Sequence, residues 1–192
     1  SNGQGYDLLS IYPFVLLQTL FLLKYKTLDS QKILGMGYTS LTNTDYILTG
    51  NTFNKGMDYV STNGNEQMKF LGIEDLWGNN YWYILGIYYD NNYNITTAFK
   101  EFNNTGINYI NRENAIQNKI EGYLSKSTFS AECGFLPLVT TNTPHIYNDK
   151  IQRANNTGIV VGGTYNSSYD AGLFSSFNRT YLTNISTRLM YL

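Results

Sequence analysis

The sequence predicts an α+β fold: an N-terminal core helix followed by a loop-rich, mostly antiparallel sheet. Three observations predict it. Apolar residues recur at helical spacing from Phe14 to Phe21 behind a capping serine, Ser10. From Tyr38 onward the text changes to short β-type runs separated by Asn, Gly, Asp and Thr. The run Tyr81–Tyr89 is apolar or aromatic on both alternating faces, which suits a central, doubly covered strand.

In chain order, Ser10 reads as an N-cap and Pro13 lies in the first turn, where a missing N–H costs little. Phe14, Leu17, Leu20, Phe21 and Lys24 trace one helical face, and Leu16 and Leu23 widen it to nearly all-round apolar. The helix should stop near Lys26-Thr27. Asp29-Ser30-Gln31 then opens a short second element that ends at Gly35-Met36-Gly37. Asn43-Thr44-Asp45 and residues 51–56 read as loops. Residues 69–73 read as one strand, Tyr81–Tyr89 as a longer one turned back by Asp90-Asn91-Asn92, and residues 158–163 as another. Asn103 to Gly106 and Asn142-Thr143-Pro144 punctuate the middle, and no internal repeat is visible.

Composition bounds the function. A chain of 192 residues is expected to form one domain, 1–192, with a substantial core. Its charged fraction of 14% is well below the usual quarter or so, and its net charge is −1 with no basic stripe. That excludes the electrostatic footprint of nucleic-acid binding. The apolar run Ile11–Leu23 is broken by Pro13, Gln18 and Thr19 and is shorter than the ~20 residues a membrane span needs. It also lacks the flanks of a signal peptide, so a buried helix is expected, with no membrane insertion. The start at Ser1, without an initiator Met, points to a piece of a longer protein.

Catalytic and metal chemistry find little to work with. Cys133 is the only cysteine, which excludes an intramolecular disulfide and a thiolate zinc cluster, and its apolar setting suits an inert buried thiol. His145 is the only histidine and shares no recognisable signature with Cys133. Glu74 and Asp75 are adjacent carboxylates, but neighbours in an extended segment point to opposite faces. Hydrogen bonds to loop N–H groups explain them better. Glu113, Glu121 and Asp149 are isolated in sequence. No cofactor and no metal is expected, although oxygen ligands from Asn/Asp loops could still hold calcium. Trp77 and Trp82, flanking Gly78-Asn79-Asn80, read as core packing, and Arg188 as an anchor of the C-terminal strand.

The C-terminal stretch carries the functional signal. Two short apolar runs lean on Gly162-Gly163 and Ala171-Gly172, and between and beyond them lie Tyr, Asn, Ser, Asp, Phe and Arg. Tyr supplies contact area at low entropic cost and Ser and Asn supply adaptable hydrogen bonds, so the pattern reads as binding and not turnover.

Three separated segments resemble one family. Gly72-Ile73-Glu74-Asp75-Leu76-Trp77-Gly78-Asn79-Asn80-Tyr81-Trp82 resembles the Gly-Ile-x-Asn-Leu-x-Gly-Asn-Val-Trp-Glu-Trp segment of C-type lectin-like folds of the formylglycine-generating-enzyme type. Gly134-Phe135-Leu136-Pro137 resembles their Gly-Phe-x-Pro step, and Gly162-Gly163-Thr164-Tyr165 through Arg188-Leu189 resembles their closing segment. The opening helix with residues 29–37 looks like the start of this domain in phage and prophage tail-associated proteins of low-GC bacteria. The resemblance implies a C-type lectin-like domain. The same fold serves variable proteins of diversity-generating retroelements, whose last stretch carries the ligand-contacting positions. Carried onto this chain, those positions are Tyr165, Asn166, Ser167, Tyr169, Asp170, Ser175, Ser176, Phe177, Asn178 and Arg179. Each is a residue that adenine-directed mutation of an Asn codon yields.

Departures narrow the activity that the resemblance implies. Ser186-Thr187 replaces a Gly-small pair before Arg188, and Tyr165 replaces Trp. The family's oxidising enzymes need two active-site cysteines, and one cysteine is present. The Glu-Pro-Asn and Gln-Pro-Asp loops of calcium-dependent sugar binders do not occur. The expectation is therefore a non-enzymatic recognition domain at a phage or prophage tail or another extracellular surface. Its partner would be a host-surface protein or glycan, with Tyr165, Tyr169 and Phe177 as aromatic anchors. The rival readings are a structural virion or surface-assembly protein, whose aromatic surface joins other virion proteins or copies of itself, and a degenerate glycan-acting enzyme.

Overall fold

A three-residue strand, β1 (Tyr6–Leu8), leads to Ser10, whose extended backbone starts helix α1 (Ile11–Tyr25). The computed structural model describes residues 6–112, 121–130, 134–143, 147–178 and 184–191. Glu113, Cys133, His145 and Arg179 lie outside the described residues. The Ser10 position is as the sequence predicts, but its hydroxyl makes no capping bond. Lys26 takes the left-handed conformation (φ 55°) and its N–H closes the last turn on the Leu22 carbonyl at 2.8 Å. Helix α2 (Ser30–Leu34) follows, with the Asp29 carboxylate accepting from the Lys32 N–H at 3.1 Å.

Helix α1 buries Ile11, Phe14, Gln18 and Phe21 and leaves Leu16 and Leu23 in solvent. Its buried face covers one side of the sheet. The expected all-round burial therefore shrinks to one face. Gln18 turns its amide inward and donates to the Leu173 carbonyl at 3.1 Å, so the helix is tied to the sheet by a buried hydrogen bond as well as by apolar contact.

Residues 69–73, expected as one strand, form instead a hairpin of β2 (Lys69–Phe70) and β3 (Ile73–Glu74). Leu71 and Gly72 both take positive φ (49° and 81°), the backbone twist that a two-residue hairpin turn demands. The long strand β4 (Tyr81–Tyr89) is where the sequence places it, and the Asp90 carboxylate closes the turn after it by accepting from the N–H groups of Asn92 and Asn94. The remaining strands are β5 (Ile95–Thr97), β6 (Ile110–Asn111), β7 (Glu121–Ser130), β8 (Gly134–Thr141), β9 (Lys150–Gln152), β10 (Thr157–Gly162), β11 (Gly172–Asn178), β12 (Ile185–Ser186) and β13 (Leu189–Tyr191).

The main sheet runs β6-β5-β4-β10-β11-β9-β7-β8, with β12 also pairing β4, and β1 pairs β13 separately. All its pairings are antiparallel except β11 with β9 and β4 with β12. The fold is α+β with a large mixed sheet. Strand β4 is central because β10 covers one edge while β12, a bridge from Ser10 to Leu85, and β5 share the other. The core lies between α1 and the sheet, where the fully buried Phe21 ring meets Phe70, Trp77 and Phe174 edge-on. The Trp77 indole N–H donates to the Gly35 carbonyl at 3.0 Å. Gly78 follows at φ 80°, where an added Cβ would lie 2.9 Å from the Tyr38 carbonyl oxygen, so no other residue fits this turn. Among the described residues no helix is long and apolar enough to cross a membrane.

Candidate recognition surface

The segment between β10 and β11 leaves the sheet at Gly163, forms one turn of 3-10 helix at Ser168–Asp170, and re-enters at Gly172. A loop of this composition would be mobile if only its ends were held. Here nearly every backbone step has a partner. The Tyr165 N–H donates to the Asn79 carbonyl at 2.9 Å, and the Asn43 side-chain amide donates to the Tyr165 carbonyl at 2.9 Å. The Ser168 N–H reaches the Thr39 carbonyl at 2.8 Å, and the Gln31 side-chain amide donates to the carbonyls of Ser168 and Ala171, each at 2.8 Å. Within the loop the Ser167 hydroxyl accepts from the Thr164 N–H at 2.8 Å.

Asp170 fixes the far side. Its two oxygens accept from the Tyr123 hydroxyl at 2.6 Å and the Lys150 ammonium at 3.1 Å, and Lys150 also pairs with Glu121 at 2.8 Å. Burial, and then the Asp170 carboxylate, push the Tyr123 phenol up to about 12, so it stays a donor across the ordinary pH range. Burial works against the Lys150 cation, but hydrogen bonds to Glu121 and Asp170 outweigh it and hold its pKa above the usual lysine value. Strands β7 and β9 therefore grip the loop through a charge-assisted network.

Nine of the ten sequence-predicted site residues fall into two groups. Asn166 and Tyr169 are exposed, Tyr169 by 54%, and Tyr165, Ser167 and Asp170 are half-buried around them. Ser175, Phe177 and Asn178 are buried and Ser176 half-buried, because β11 runs between β10 and β9 in the middle of the sheet. The Phe177 ring packs edge-on to Tyr81 at 5.1 Å and against Val160, which removes it as a surface anchor. The Ser175 hydroxyl donates to the Gly172 carbonyl and accepts from the Gly162 N–H. Arg179 lies outside the described residues. The structure thus joins Tyr165 to Asp170 in one patch and assigns Ser175 to Asn178 to the scaffold.

Sequence reasoning did not single out Gln31, Asn43, Asn79, Tyr123 and Lys150, which hold the patch. Their signal is weak, since Asn and Tyr abound in this chain. The β7–β8 hairpin also escaped, its polar-apolar alternation being interrupted by register shifts near Lys126.

The paired carboxylates behave as expected in part. Glu74 accepts from the N–H groups of Gly50 and Thr52, both at 2.5 Å, and from the Thr52 hydroxyl. Burial alone would raise its pKa, but these bonds win and lower it. Asp75 accepts from side chains instead, Gln67 at 2.5 Å and Asn79 at 3.0 Å. Trp77 and Trp82 are both buried in the core, and Arg188 stacks on Trp82 at 4.2 Å and donates to the Glu74 carbonyl. Among the described residues no three His, Cys, Asp or Glu side chains gather as a metal site would require.

No protein-family model matches this chain, and no curated protein matches it.

Proposed function

We propose that this chain is a non-enzymatic recognition domain of C-type lectin-like fold, set at a phage or prophage tail, that contacts a host-surface protein or glycan through Tyr165–Asp170. The observation that carries the reading is a loop whose backbone is held by Gln31, Thr39, Asn43 and Asn79 and whose Asp170 side chain is held by Tyr123 and Lys150, while Asn166 and Tyr169 stay outside. Binding gains most when the contact side chains sit on a backbone that loses little freedom on association. An exposed tyrosine beside an exposed asparagine on such a frame is chemically a contact surface.

Support for the lectin-like fold comes from the meeting of the resembling segments. The Gly78 N–H donates to the Gly162 carbonyl at 3.2 Å, Asn79 receives Tyr165, and Arg188 anchors on Glu74 and Trp82. Segments far apart in sequence thus build one corner of the molecule.

Whole-cell binding tests the reading. The double substitution Asn166→Ala with Tyr169→Ala should abolish binding to the host while leaving the melting temperature within a degree or so, since exposed side chains add little to folding. Binding at parental strength would overturn it. A second reading, assembly into a larger particle, is favoured by a separate observation. Leu41, Tyr46, Leu48, Phe53, Met57 and Val60 are all exposed within one 20-residue stretch, Leu48 and Phe53 by more than 80%. Sedimentation showing a stable oligomer that Leu48→Ser with Phe53→Ser dissolves would favour that reading.

A further inference from the structure

Asp149 is fully buried beneath the point where the exposed loop re-enters the sheet. Its Oδ1 accepts from the Phe174 N–H at 2.6 Å, and its Oδ2 is buried with no hydrogen-bond partner among the described residues. A Cβ added to Gly172 would collide with that Oδ1 and with the Ser30 hydroxyl, which accepts from the Leu173 N–H at 3.0 Å. Three successive residues, Gly172 to Phe174, thus close over one carboxyl. The neighbouring Asn148 side-chain amide donates to Gln31 Oε1 at 3.2 Å, and the Gln31 nitrogen holds the carbonyls of Ser168 and Ala171. Residues 148 and 149 are therefore tied to helix α2, to the start of β11 and, through Gln31, to the loop itself.

The neutral acid and the anion fit this site unequally. Ionisation would put charge on an oxygen that has no donor and that water does not reach, whereas the neutral acid has no charge to solvate. The surrounding charges do not offset that cost. From α2 the facing group is Asp29, itself a carboxylate, and Lys32 of that helix is exposed. Next along β9, Lys150 is engaged by Glu121 and Asp170, and Tyr123 of β7 donates to the same Asp170. Lys126 of β7 is exposed, and β11 carries no titratable side chain. Burial raises the Asp149 pKa to about 8, against the Phe174 bond and with Asp29 adding to it. Water reaches the anion only if the chain over it lifts. Strands β7 and β9 are each paired on both edges, whereas the loop is held largely by single side chains and opens first.

We propose that Asp149 is a proton-operated latch on the Tyr165–Asp170 loop: the neutral carboxyl lets Gly172–Phe174 close over it, and loss of its proton to solvent releases the loop from α2. The latch acts on the loop of the proposed contact surface and does not rest on that loop binding a cell.

The test is amide hydrogen exchange on the full ¹⁵N-labelled chain between pH 6 and pH 8, each rate divided by the intrinsic rate at that pH. The N–H groups of Tyr165, Ser168 and Leu173 report, because each donates to a partner outside the loop, at Asn79, Thr39 and Ser30. An opening that exposes Asp149 returns it to an ordinary carboxylate, so it becomes ~10-fold easier per pH unit until the folded pKa is passed. The three amides should lose protection with that slope, and should be less protected throughout than the amides of β4 and β10. In Asp149→Asn their protection should be level with pH. Protection that does not change with pH in the parent would overturn the latch, and it decides even if Asp149→Asn does not fold. A slope that persists in Asp149→Asn would assign the proton to another group, such as His145, which lies outside the described residues, and would overturn it equally. Protection as high as that of β4 would overturn it too, since the proton would then belong to unfolding of the whole chain. The exchange is read on the free chain, so the Asn166/Tyr169 double variant can fail or pass on cells without altering it, and the two failures are distinguishable.

Discussion

The side-chain amide of Gln31 donates to the carbonyl of Ser168 at 2.8 Å, joining helix α2 to the centre of the exposed loop. The same nitrogen reaches the Ala171 carbonyl, so one buried residue satisfies both ends of the 3-10 turn. Replacing Gln31 with Ala removes its bond to the Ala171 carbonyl and leaves the Ser168 carbonyl with only the 3.3 Å bond from the Ala171 N–H, and should cost ~1–3 kcal/mol. At this chain length that corresponds to a fall of several degrees in melting temperature, roughly 2–4 °C per kcal/mol. Host-cell binding should weaken with Tyr169 still in place, because the loop is no longer pre-set. A variant that melts with the parent and binds equally well would show that Gln31 does not position the loop.

Phe177 and Tyr169 should part company under alanine substitution. Phe177 is 4% exposed and sits on Tyr81 and Val160, so Phe177→Ala should cost ~3–5 kcal/mol of stability. Tyr169→Ala, at an exposed position, should change stability by less than ~0.5 kcal/mol and fall chiefly on binding. Chemical denaturation curves for both variants check the pair. Equal destabilisation would contradict their placement on opposite sides of the loop–strand boundary.

Stability should decline between pH 6 and pH 8. Asp149 is fully buried; burial, with a smaller contribution from Asp29, raises its pKa to about 8 against the bond its Oδ1 accepts from the Phe174 N–H. The folded chain then keeps a proton that the unfolded chain releases near pH 4. That contribution is whole below pH 4 and is lost as pH rises toward 8. Asp75, raised by burial to about 6, follows the same sign and is spent by the start of the window. Glu74 and Asp58 have lowered values, so their contribution is lost only in acid and is constant here. Melting temperatures at pH 6 and 8 should fall for the parent and stay level for Asp149→Asn. A parent curve that rises over this interval would contradict the assignment.

The opening helix and the sheet should melt together. Phe14 and Phe21 of α1 share one core with Trp82, Ile84, Leu173 and Phe174 of the sheet, and Gln18 bonds to β11. Calorimetry should give one transition, with calorimetric and van't Hoff enthalpies equal. A separate low-temperature transition, or proteolytic release of residues 1–40 from a folded remainder, would show that the helix is an independent unit.

Local chemistry alone determined several elements of this protein. Helix α1 follows from apolar spacing, its end from the residues at Lys26-Thr27, α2 from the Asp29 cap, and β4 from a run apolar on both faces. The bonds of Glu74 to loop N–H groups and the anchoring of Arg188 on a carbonyl were also legible, while Asp75, read the same way as Glu74, accepts from side chains instead. Tertiary structure decided which half of the C-terminal segment is surface. Tyr165–Asp170 and Ser175–Asn178 share one polar and aromatic composition, yet the Phe177 face of β11 packs on Tyr81 and Val160 while Asn166 and Tyr169 of the preceding loop stay exposed. Exposure is a property of what packs alongside, and the partners here come from positions as distant as Gln31, Tyr123 and Lys150. The unpaired oxygen of Asp149 was equally hidden, since a missing hydrogen bond exists only once every neighbour has been placed.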